Sequence, residues 1–259
     1  MASVLSEFSL EGKAALVVGA ETPVGIAAST ALAEAGARVM MASQDVGAEK
    51  QLKDAAKKIT TNASRIVVRV QRAAIRADLS ATADLALKEL GGLDILVNAL
   101  DSPAYGPADQ TDDSVFDRVI EDNLKTVWMS CQEAARVMLQ RRGGTIVNIT
   151  SILAHRGVPN ASLYCAAKAG VLNLTRALAL EWARRSIRVN AIEAGWLDSP
   201  PSPAVAQNEF AQNLLKYLPD NKLVSPNELC GVLLYLVSSA SGFVTGESIA
   251  VDGALLCRI

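Results

Sequence analysis

The chain has 259 residues, half of them hydrophobic, and its 25 basic and 27 acidic side chains give a formal net charge of −2. A chain of this length and apolar content can bury roughly 70–75% of its surface, so we predict a single domain over residues 1–259. The near-neutral charge offers no broad attraction for nucleic acid or for anionic lipid, and neither partner is predicted.

The N-terminal segment and the cysteines favour a cytoplasmic protein. No basic leader followed by a long apolar run precedes Lys13, so no secretory signal is predicted. The apolar stretch from Leu229 to Val237 is too short to cross roughly 30 Å of hydrocarbon. The four cysteines are widely separated and form no CxxC pair, which indicates neither a disulfide framework nor a zinc site. No metal is therefore predicted.

Short apolar runs alternate with amphipathic stretches of helical period along the chain. The predicted strands are Ala14–Val18, Arg38–Ala42, Ile66–Val70, Leu93–Val97, Thr145–Ile149, Ile187–Ile192 and Ser248–Val251. The predicted helices are Val24–Ala35, Ala48–Ile59, Ala77–Leu90, Ser114–Leu139, Ser162–Ala183 and Pro226–Val237. This order predicts an α/β fold, a single-domain Rossmann-like doubly wound parallel sheet of about seven strands flanked by helices on both faces. The Pro-rich stretch 195–223 is predicted to form a lid over the substrate.

The first predicted strand leads into the loop GAETPVG over residues 19–25 and then into a helix. A glycine turn at a helix N-terminus suits a phosphate group, because exposed N–H groups and the helix dipole favour negative charge. Only Gly19 and Gly25 remain as glycines, while Pro23 suits a first helical turn. The loop alone is equally compatible with a tight turn that binds nothing.

The second predicted strand leads into Ser43, Gln44 and Asp45. A carboxylate at such a strand end would receive the ribose hydroxyls of NAD, whereas a nearby arginine would suit the extra phosphate of NADP. If Ser43 is the last residue, no carboxylate repels that phosphate and no cation attracts it, which favours NADP slightly over NAD. If the register differs by two residues, Asp45 takes this place.

The clearest chemical pattern lies in the second half of the chain. Ser151 follows a predicted strand, and Tyr164 and Lys168 are four residues apart on a predicted helix. Positions four apart share a helix face, so the two side chains can converge. A phenol of pKa about 10 becomes a usable base only when a neighbouring cation favours the phenolate. The alternative is an ordinary Tyr/Lys pair on a helix surface.

These features occur in an order that resembles the short-chain dehydrogenase/reductase family, over about Leu10 to Gly253. The resemblance implies a catalytic tetrad of Asn123, Ser151, Tyr164 and Lys168. Tyr164 would act as general acid or base, and Lys168 would lower its pKa and bind the nicotinamide ribose. Ser151 would hold the substrate oxygen, and Asn123 would hold a water that passes protons onward.

The same resemblance implies further contacts with cofactor and substrate. The implied cofactor-binding residues are Gly19, Glu21, Thr22, Val24, Gly25, Ser43, Gln44, Asn98, Ala99, Tyr164, Lys168, Gly195, Leu197 and Ser199. The implied substrate residues are Ser151, His155, Tyr164 and Trp196. For His155, the alternative is an exposed loop histidine without a ligand.

Several positions depart from the family pattern. Pro23 replaces the middle glycine of the loop, and the family's NNAG reads Asn98-Ala99-Leu100-Asp101. Asp101 would either repel the cofactor's phosphates or point to solvent. Two hypotheses follow: an NAD(P)-dependent oxidoreductase acting on a secondary alcohol or ketone, and a cofactor-weak binding or scaffolding subunit. The complete tetrad favours the first, because a scaffold needs no such group.

The segment LTRALALEWARRSIRVNAIEAGW is similar to the gluconate dehydrogenase and 3-oxoacyl carrier-protein reductase subgroups. That similarity implies a polyol, sugar acid or oxoacyl substrate. The family also implies a homotetramer, commonly built from the two long helices and the C-terminal segment. Their apolar residues exceed what one face against one sheet requires, although a thick core is the alternative. These residues are Trp128, Met129, Val137, Leu172, Leu174, Leu178 and Trp182.

Overall fold

The computed structural model describes residues 4–59, 65–70, 75–198, 218–219 and 221–258. They form one parallel sheet of seven strands in the order β3-β2-β1-β4-β5-β6-β7. The strands are β1 Ala14–Val18, β2 Arg38–Ser43, β3 Ile66–Val70, β4 Ile95–Asn98, β5 Gly144–Ser151, β6 Ile187–Ala194 and β7 Ser248–Val251. The α-helices are α1 Pro23–Glu34, α2 Glu49–Lys58, α3 Arg76–Leu90, α4 Asp113–Ile120, α5 Thr126–Met138, α6 Ser162–Trp182 and α7 Leu229–Val237.

Both faces of the sheet are buried, because alternate residues of the central strands enter two different cores. Val17 packs into a core with α1, α2 and α7, whereas Leu16 and Val18 pack into a core with α3, α5 and α6. The strand order reverses direction between β1 and β4, so the loops after these strands diverge and leave a crevice. The predicted doubly wound α/β fold is confirmed.

The long helix predicted from Ser114 to Leu139 is divided in the structure. One turn of π-helix, Glu121–Lys125, separates α4 from α5 and contains the buried Asn123. A π turn accommodates an extra residue and changes the direction of the side chains around it, often at functional sites. Periodicity along the sequence does not reveal such a local insertion, because the helix continues on both sides.

The last predicted helix, Pro226–Val237, also begins differently. Pro226–Glu228 is a 3-10 turn capped by Ser225 and Glu228, and α7 starts only at Leu229. Most of the predicted 195–223 lid lies outside the described residues, and so does Ser199. Next to it, Leu197 and Val224 form an isolated parallel bridge.

Two properties of the described chain bear on its environment. None of the described helices combines the length and hydropathy needed to span a membrane. The four cysteines are all free thiols, and only Cys131 is fully buried.

Candidate active site

A cleft of about 360 Å³ opens at the carboxyl edge of the sheet, where the strand order reverses. Its walls come from the segments that follow β1, β4, β5 and β6, and from one face of α6. The lining residues include Thr22, Val24, Ala99, Asp101, Tyr105, Ser151, Tyr164, Lys168, Gly195, Trp196 and Leu197. The fold therefore brings segments distant in sequence to one cavity, at the place where open α/β sheets bind ligands.

The loop after β1 packs tightly against the start of α1. Gly19 has φ +80°, and a Cβ there would lie 2.8 Å from the backbone of Ala99. Thr22 caps α1 by accepting a hydrogen bond from the Gly25 N–H at 2.9 Å. Its hydroxyl also lies 2.9 Å from the Gly19 carbonyl oxygen and 3.1 Å from that of Ala99. Thr22 thus links the β1 loop to the end of β4 and presents a helix N-terminus to the cleft.

The end of β2 differs from the sequence-based expectation for Ser43. β2 ends at Ser43, which is fully buried and lines neither cavity. Its hydroxyl accepts a hydrogen bond from the Asp45 N–H at 2.9 Å, an internal turn contact. Gln44, the next residue, does line a second cavity of about 260 Å³ beside the first. Gln44 rather than Ser43 is therefore placed to meet a ligand.

Polar atoms beside this second cavity fit the adenosine end of a dinucleotide. Glu21 Oε1 accepts a hydrogen bond from the Gln44 N–H at 3.3 Å. Glu21 Oε2 and Gln44 Nε2 are buried and have no hydrogen-bond partner within the described part of the chain. Burial raises the pKa of Glu21 above its usual value. Because buried polar atoms normally have partners, this pair is suited to ligand hydroxyl groups.

Ser151, Tyr164 and Lys168 converge on the first cleft. Ser151 is the last residue of β5, and Tyr164 and Lys168 lie one turn apart on α6. Lys168 is 2% exposed, and its Nζ donates to the Leu100 carbonyl oxygen at 2.8 Å. The same Nζ lies 5.4 Å from the centre of the Tyr164 ring. The helical spacing and the strand end thus bring a phenol, an ammonium and a hydroxyl to one wall.

Asp101 adds a carboxylate to this group: it contacts the Tyr/Lys pair while its side chain remains 40% exposed to solvent. The Tyr164 hydroxyl donates to Asp101 Oδ1 at 2.6 Å, and Lys168 Nζ lies 3.4 Å from the same oxygen. Burial, followed by Asp101, raises the pKa of Tyr164 well above its usual value, whereas a hydrogen bond with Ser151 acts in the opposite direction. Burial lowers the pKa of Lys168, and Asp101 opposes that shift.

Comparison with known proteins shows one family across the chain. Residues 19–255 match the family described as enoyl-(acyl carrier protein) reductase. The chain is 34% identical to the 2-dehydro-3-deoxy-D-gluconate 5-dehydrogenase of Escherichia coli K12, over 98% of this chain and 100% of that protein. It is 32% identical to the D-threitol dehydrogenase of Mycolicibacterium smegmatis, over 97% of this chain and 95% of that protein.

Solved structures agree with these relatives. A short-chain type dehydrogenase/reductase from Mycobacterium marinum has a TM-score of 0.92 and 32% identity, over 98% of this chain and 100% of that one. The chain belongs to the short-chain dehydrogenase/reductase family. A gluconate 5-dehydrogenase from Burkholderia cenocepacia, solved with NADP and tartrate, has a TM-score of 0.88 and 28% identity, over 99% of this chain and 100% of that one. The predicted class is confirmed: this member of the family is an NAD(P)-dependent oxidoreductase.

Asn123, predicted to belong to the catalytic tetrad, lies on the π turn and binds the segment that carries Asp101. Its Oδ1 accepts from the Ser102 N–H at 3.0 Å, and its Nδ2 donates to the carbonyl oxygens of Ser102 at 2.8 Å and Val119 at 2.9 Å. The side chain therefore holds the backbone next to Asp101. Its role in holding a water, implied by the family, stays a prediction.

Asn98, expected at the cofactor, instead belongs to a buried network behind the cleft. It is 1% exposed, its Nδ2 donates to Asn148 Oδ1 at 2.8 Å, and its Oδ1 accepts from Ser130 Oγ at 2.6 Å. Asn98 and Asn148 are register partners on β4 and β5. Sequence reasoning missed Asn148 and Ser130, because the pairing of β4 with β5 in this register is not visible in the sequence of either strand.

Of the residues predicted to contact the substrate, Trp196 lines the cleft and His155 does not. Trp196 lines the cleft, as does Tyr105, which sequence reasoning did not single out. His155 lines neither cavity, and its Nε2 lies 2.7 Å from Oε2 of Glu193, a buried carboxylate near the end of β6. In the described part of the chain, His155 is therefore paired with Glu193 rather than lining the cleft, and its contact with the substrate stays a prediction.

Proposed function

We propose that this protein interconverts a secondary alcohol and a ketone, with Tyr164 as the general acid or base. The proposal rests on one observation above the others, the convergence of Ser151, Tyr164 and Lys168 on the cleft at the point where the sheet order reverses. A positioned proton donor next to a hydroxyl that can hold the reacting oxygen meets the needs of carbonyl reduction.

The residues around the two cavities have distinct roles in this proposal. Bound NAD(P) supplies or accepts the hydride. The N-terminus of α1 at Thr22 and Val24 would bind its phosphates, because helix N-termini favour negative charge. Gln44 and Glu21 would meet the adenosine ribose. Asp101 departs from this fit, since its carboxylate lies where both cavities meet and adds negative charge there.

Ser151, Tyr164 and Lys168 carry out the proton chemistry in this proposal. Ser151 Oγ would hold the substrate oxygen where charge develops. Tyr164 would donate its hydroxyl proton to that oxygen in reduction and take one up in oxidation. Lys168, held by the Leu100 carbonyl oxygen, would keep a positive charge beside the phenol. Asn123 would hold the water through which protons leave.

Among the polyol, sugar acid and oxoacyl substrates, the charges lining the cleft favour those that are uncharged. Lys168 is the only cationic side chain among the described residues that line the cleft, and it is already bonded to Leu100. Asp101 adds a negative charge. A neutral polyol or hydroxyketone therefore suits the described cleft better than a sugar acid, because a buried carboxylate without a partner is costly.

An activity screen tests the proposed reaction. Purified protein would be assayed with NAD and NADP against neutral polyols and sugar acids, and with NADH and NADPH against ketoses, keto acids and oxoacyl thioesters. We expect turnover with at least one cofactor, and a higher kcat/KM for neutral than for anionic substrates. If no cofactor gives turnover and none raises the Tm, the protein is the cofactor-weak binding subunit instead.

We also propose a homotetramer in the cytoplasm. Most of the apolar residues that the sequence offered for this assembly are buried within the subunit, but Trp128 is 40% exposed, and Phe116 at 48% and Leu180 at 83% add exposed apolar surface. Burial of such groups between subunits would remove them from water. Light scattering at micromolar concentration is expected to give four times the monomer mass, and a particle of monomer mass would contradict this assembly.

A further inference from the structure

Asp101 occupies the position of the glycine in the family's NNAG motif, and its carboxylate faces the Tyr/Lys pair. We propose that Asp101 is a positioning residue which holds the hydroxyl proton of Tyr164, offsets the charge of Lys168, and thereby raises the pH at which Tyr164 can act as the base in alcohol oxidation. The inference rests on the proposed role of Tyr164 as the group that exchanges a proton with the substrate.

The contact has the geometry of a charge-assisted hydrogen bond. The distance of 2.6 Å from Tyr164 Oη to Asp101 Oδ1 lies within the range of about 2.5–2.7 Å for a hydroxyl bonded to a carboxylate. The Asp101 side chain is 40% exposed, so water still solvates its charge. Asn123 holds the backbone of Ser102, the next residue, on both its N–H and its carbonyl oxygen. The carboxylate is thus presented by an anchored segment.

The proton of this hydrogen bond belongs to the tyrosine. Ordinary pKa values are about 4 for an aspartic acid and about 10 for a phenol, a gap of about six units. Burial of the phenol widens this gap further. In this hydrogen bond the Tyr164 hydroxyl is therefore the donor and the Asp101 carboxylate is the acceptor.

Asp101 also changes the charge balance around the phenol. With Lys168 alone, a phenolate would share the pocket with one positive charge. With Asp101 present, a phenolate would be the second negative charge beside a single ammonium that lies 3.4 Å from the first. A single neighbouring charge can shift a pKa by about one to three units, and a like charge shifts it against ionisation.

The other groups around Tyr164 do not replace this effect. Tyr105 remains protonated, because burial and Asp101 raise its pKa to about 12. The titratable and polar groups facing Tyr164 are Asp101 and Tyr105 from the segment after β4, Ser151 from β5, and Cys165 and Lys168 from α6. The C-terminal segment packs there with apolar Leu255 and Leu256. Asp101 is therefore the carboxylate in contact with the phenol.

The two directions of the reaction need opposite forms of Tyr164. In reduction, the carbonyl carbon gains a hydride, the Tyr164 O–H bond breaks and a new O–H bond forms on the substrate oxygen. In oxidation, the alcohol O–H bond breaks, its proton goes to a Tyr164 phenolate, and the hydride leaves the carbon. Asp101 keeps the form used in reduction fully populated and makes the form used in oxidation scarce at neutral pH.

The pH dependence of Asp101→Asn tests the proposal. Asparagine keeps the size and a hydrogen-bonding group but removes the charge. In oxidation, kcat/KM rises as the pH increases and the Tyr164 phenolate forms. In Asp101→Asn we expect this rise at a pH lower by about one to three units. At neutral pH the phenolate fraction should then increase about tenfold for each unit, and the rates of oxidation and reduction should change together, because one transition state serves both directions. The proposal would be overturned if the pH profiles of the parent and of Asp101→Asn coincide. Slower oxidation in the variant would also overturn it, because it would show that Asp101 takes up a proton during oxidation.

A second measurement does not depend on turnover. The near-ultraviolet absorption of the Tyr164 phenolate would be obtained as the difference between the pH titrations of the parent and of Tyr164→Phe. The same difference would be measured with Asp101→Asn present in both proteins. The phenolate is expected at lower pH when Asp101 is absent. No difference, or no phenolate before alkaline unfolding in the variant, counts against the proposal. Asp122→Asn, which removes a carboxylate lining only the second cavity, is expected to leave the titration in place.

These two measurements separate this inference from the proposed function. If no substrate is turned over but the phenolate still shifts in Asp101→Asn, the oxidoreductase role of Tyr164 fails and the electrostatic role of Asp101 stands. If turnover occurs and neither the profile nor the phenolate moves, the oxidoreductase role stands and Asp101 has no part in it.

Discussion

Replacing Tyr164 with phenylalanine is expected to lower kcat by about a hundredfold to ten-thousandfold while cofactor binding is retained. The substitution removes only the hydroxyl that reaches Asp101 and faces the cleft, and general acid–base catalysis contributes rate factors of about this size. The ring, which packs against Ile152 and Leu153, is kept. Steady-state assays would give kcat, and quenching of tryptophan fluorescence, including that of Trp196 in the cleft, would give the cofactor Kd.

Tyr235→Phe provides the matched control for this prediction. Tyr235 lies on α7, packs at the edge of the core beneath α1, and lines neither cavity. We expect its kcat to stay within about twofold of the parent protein, as for most substitutions remote from a site. Full turnover in Tyr164→Phe would show that another group supplies the proton.

Gly25→Ala is expected to have the second large effect, on both stability and cofactor binding. A Cβ at Gly25 would lie 2.2 Å from the Gly19 carbonyl oxygen and 2.6 Å from Ala20 Cα. Both are backbone atoms, so the overlap is relieved only if α1 moves away from the β1 loop. Overpacking of this kind costs about 1–3 kcal/mol in the free energy of unfolding.

The same displacement would move the Thr22 cap and the first turn of α1, so cofactor affinity should fall more than tenfold. Urea unfolding and fluorescence titration measure the two effects separately. Gly231→Ala is the control, because Gly231 lies on α7 with no atom within 4 Å of an added Cβ. Alanine there should raise the free energy of unfolding by about 0.5–1 kcal/mol. Unchanged stability and affinity in Gly25→Ala would contradict the packing argument.

The structure determined which of the predicted cofactor residues face the cavities. Ser43 and Asn98 were expected at the cofactor, yet both are buried in contacts with the protein itself. His155 was expected at the substrate, yet it pairs with Glu193. In each case the residue type suited a ligand, but a neighbouring strand or turn already supplied its hydrogen-bonding partner.

The sequence by itself determined the features that depend on local periodicity. Short, continuously apolar runs between the helical segments specified the parallel sheet, because a strand buried on both faces must be apolar at nearly every position. The spacing of Tyr164 and Lys168 placed both on one helix face, because residues four apart lie above one another. Ser151 at a strand end followed from the same pattern.

Only the tertiary structure decided the contacts that join distant parts of the chain. Asp101 and Tyr164 are 63 residues apart, and Asn98 and Asn148 are 50 apart. Their pairing depends on which strands are neighbours and in which register they pair, and no local pattern encodes either. Ser151 and the Tyr164/Lys168 pair were therefore readable from the sequence, whereas the carboxylate in contact with Tyr164 became visible only when the end of β4 and α6 were brought together.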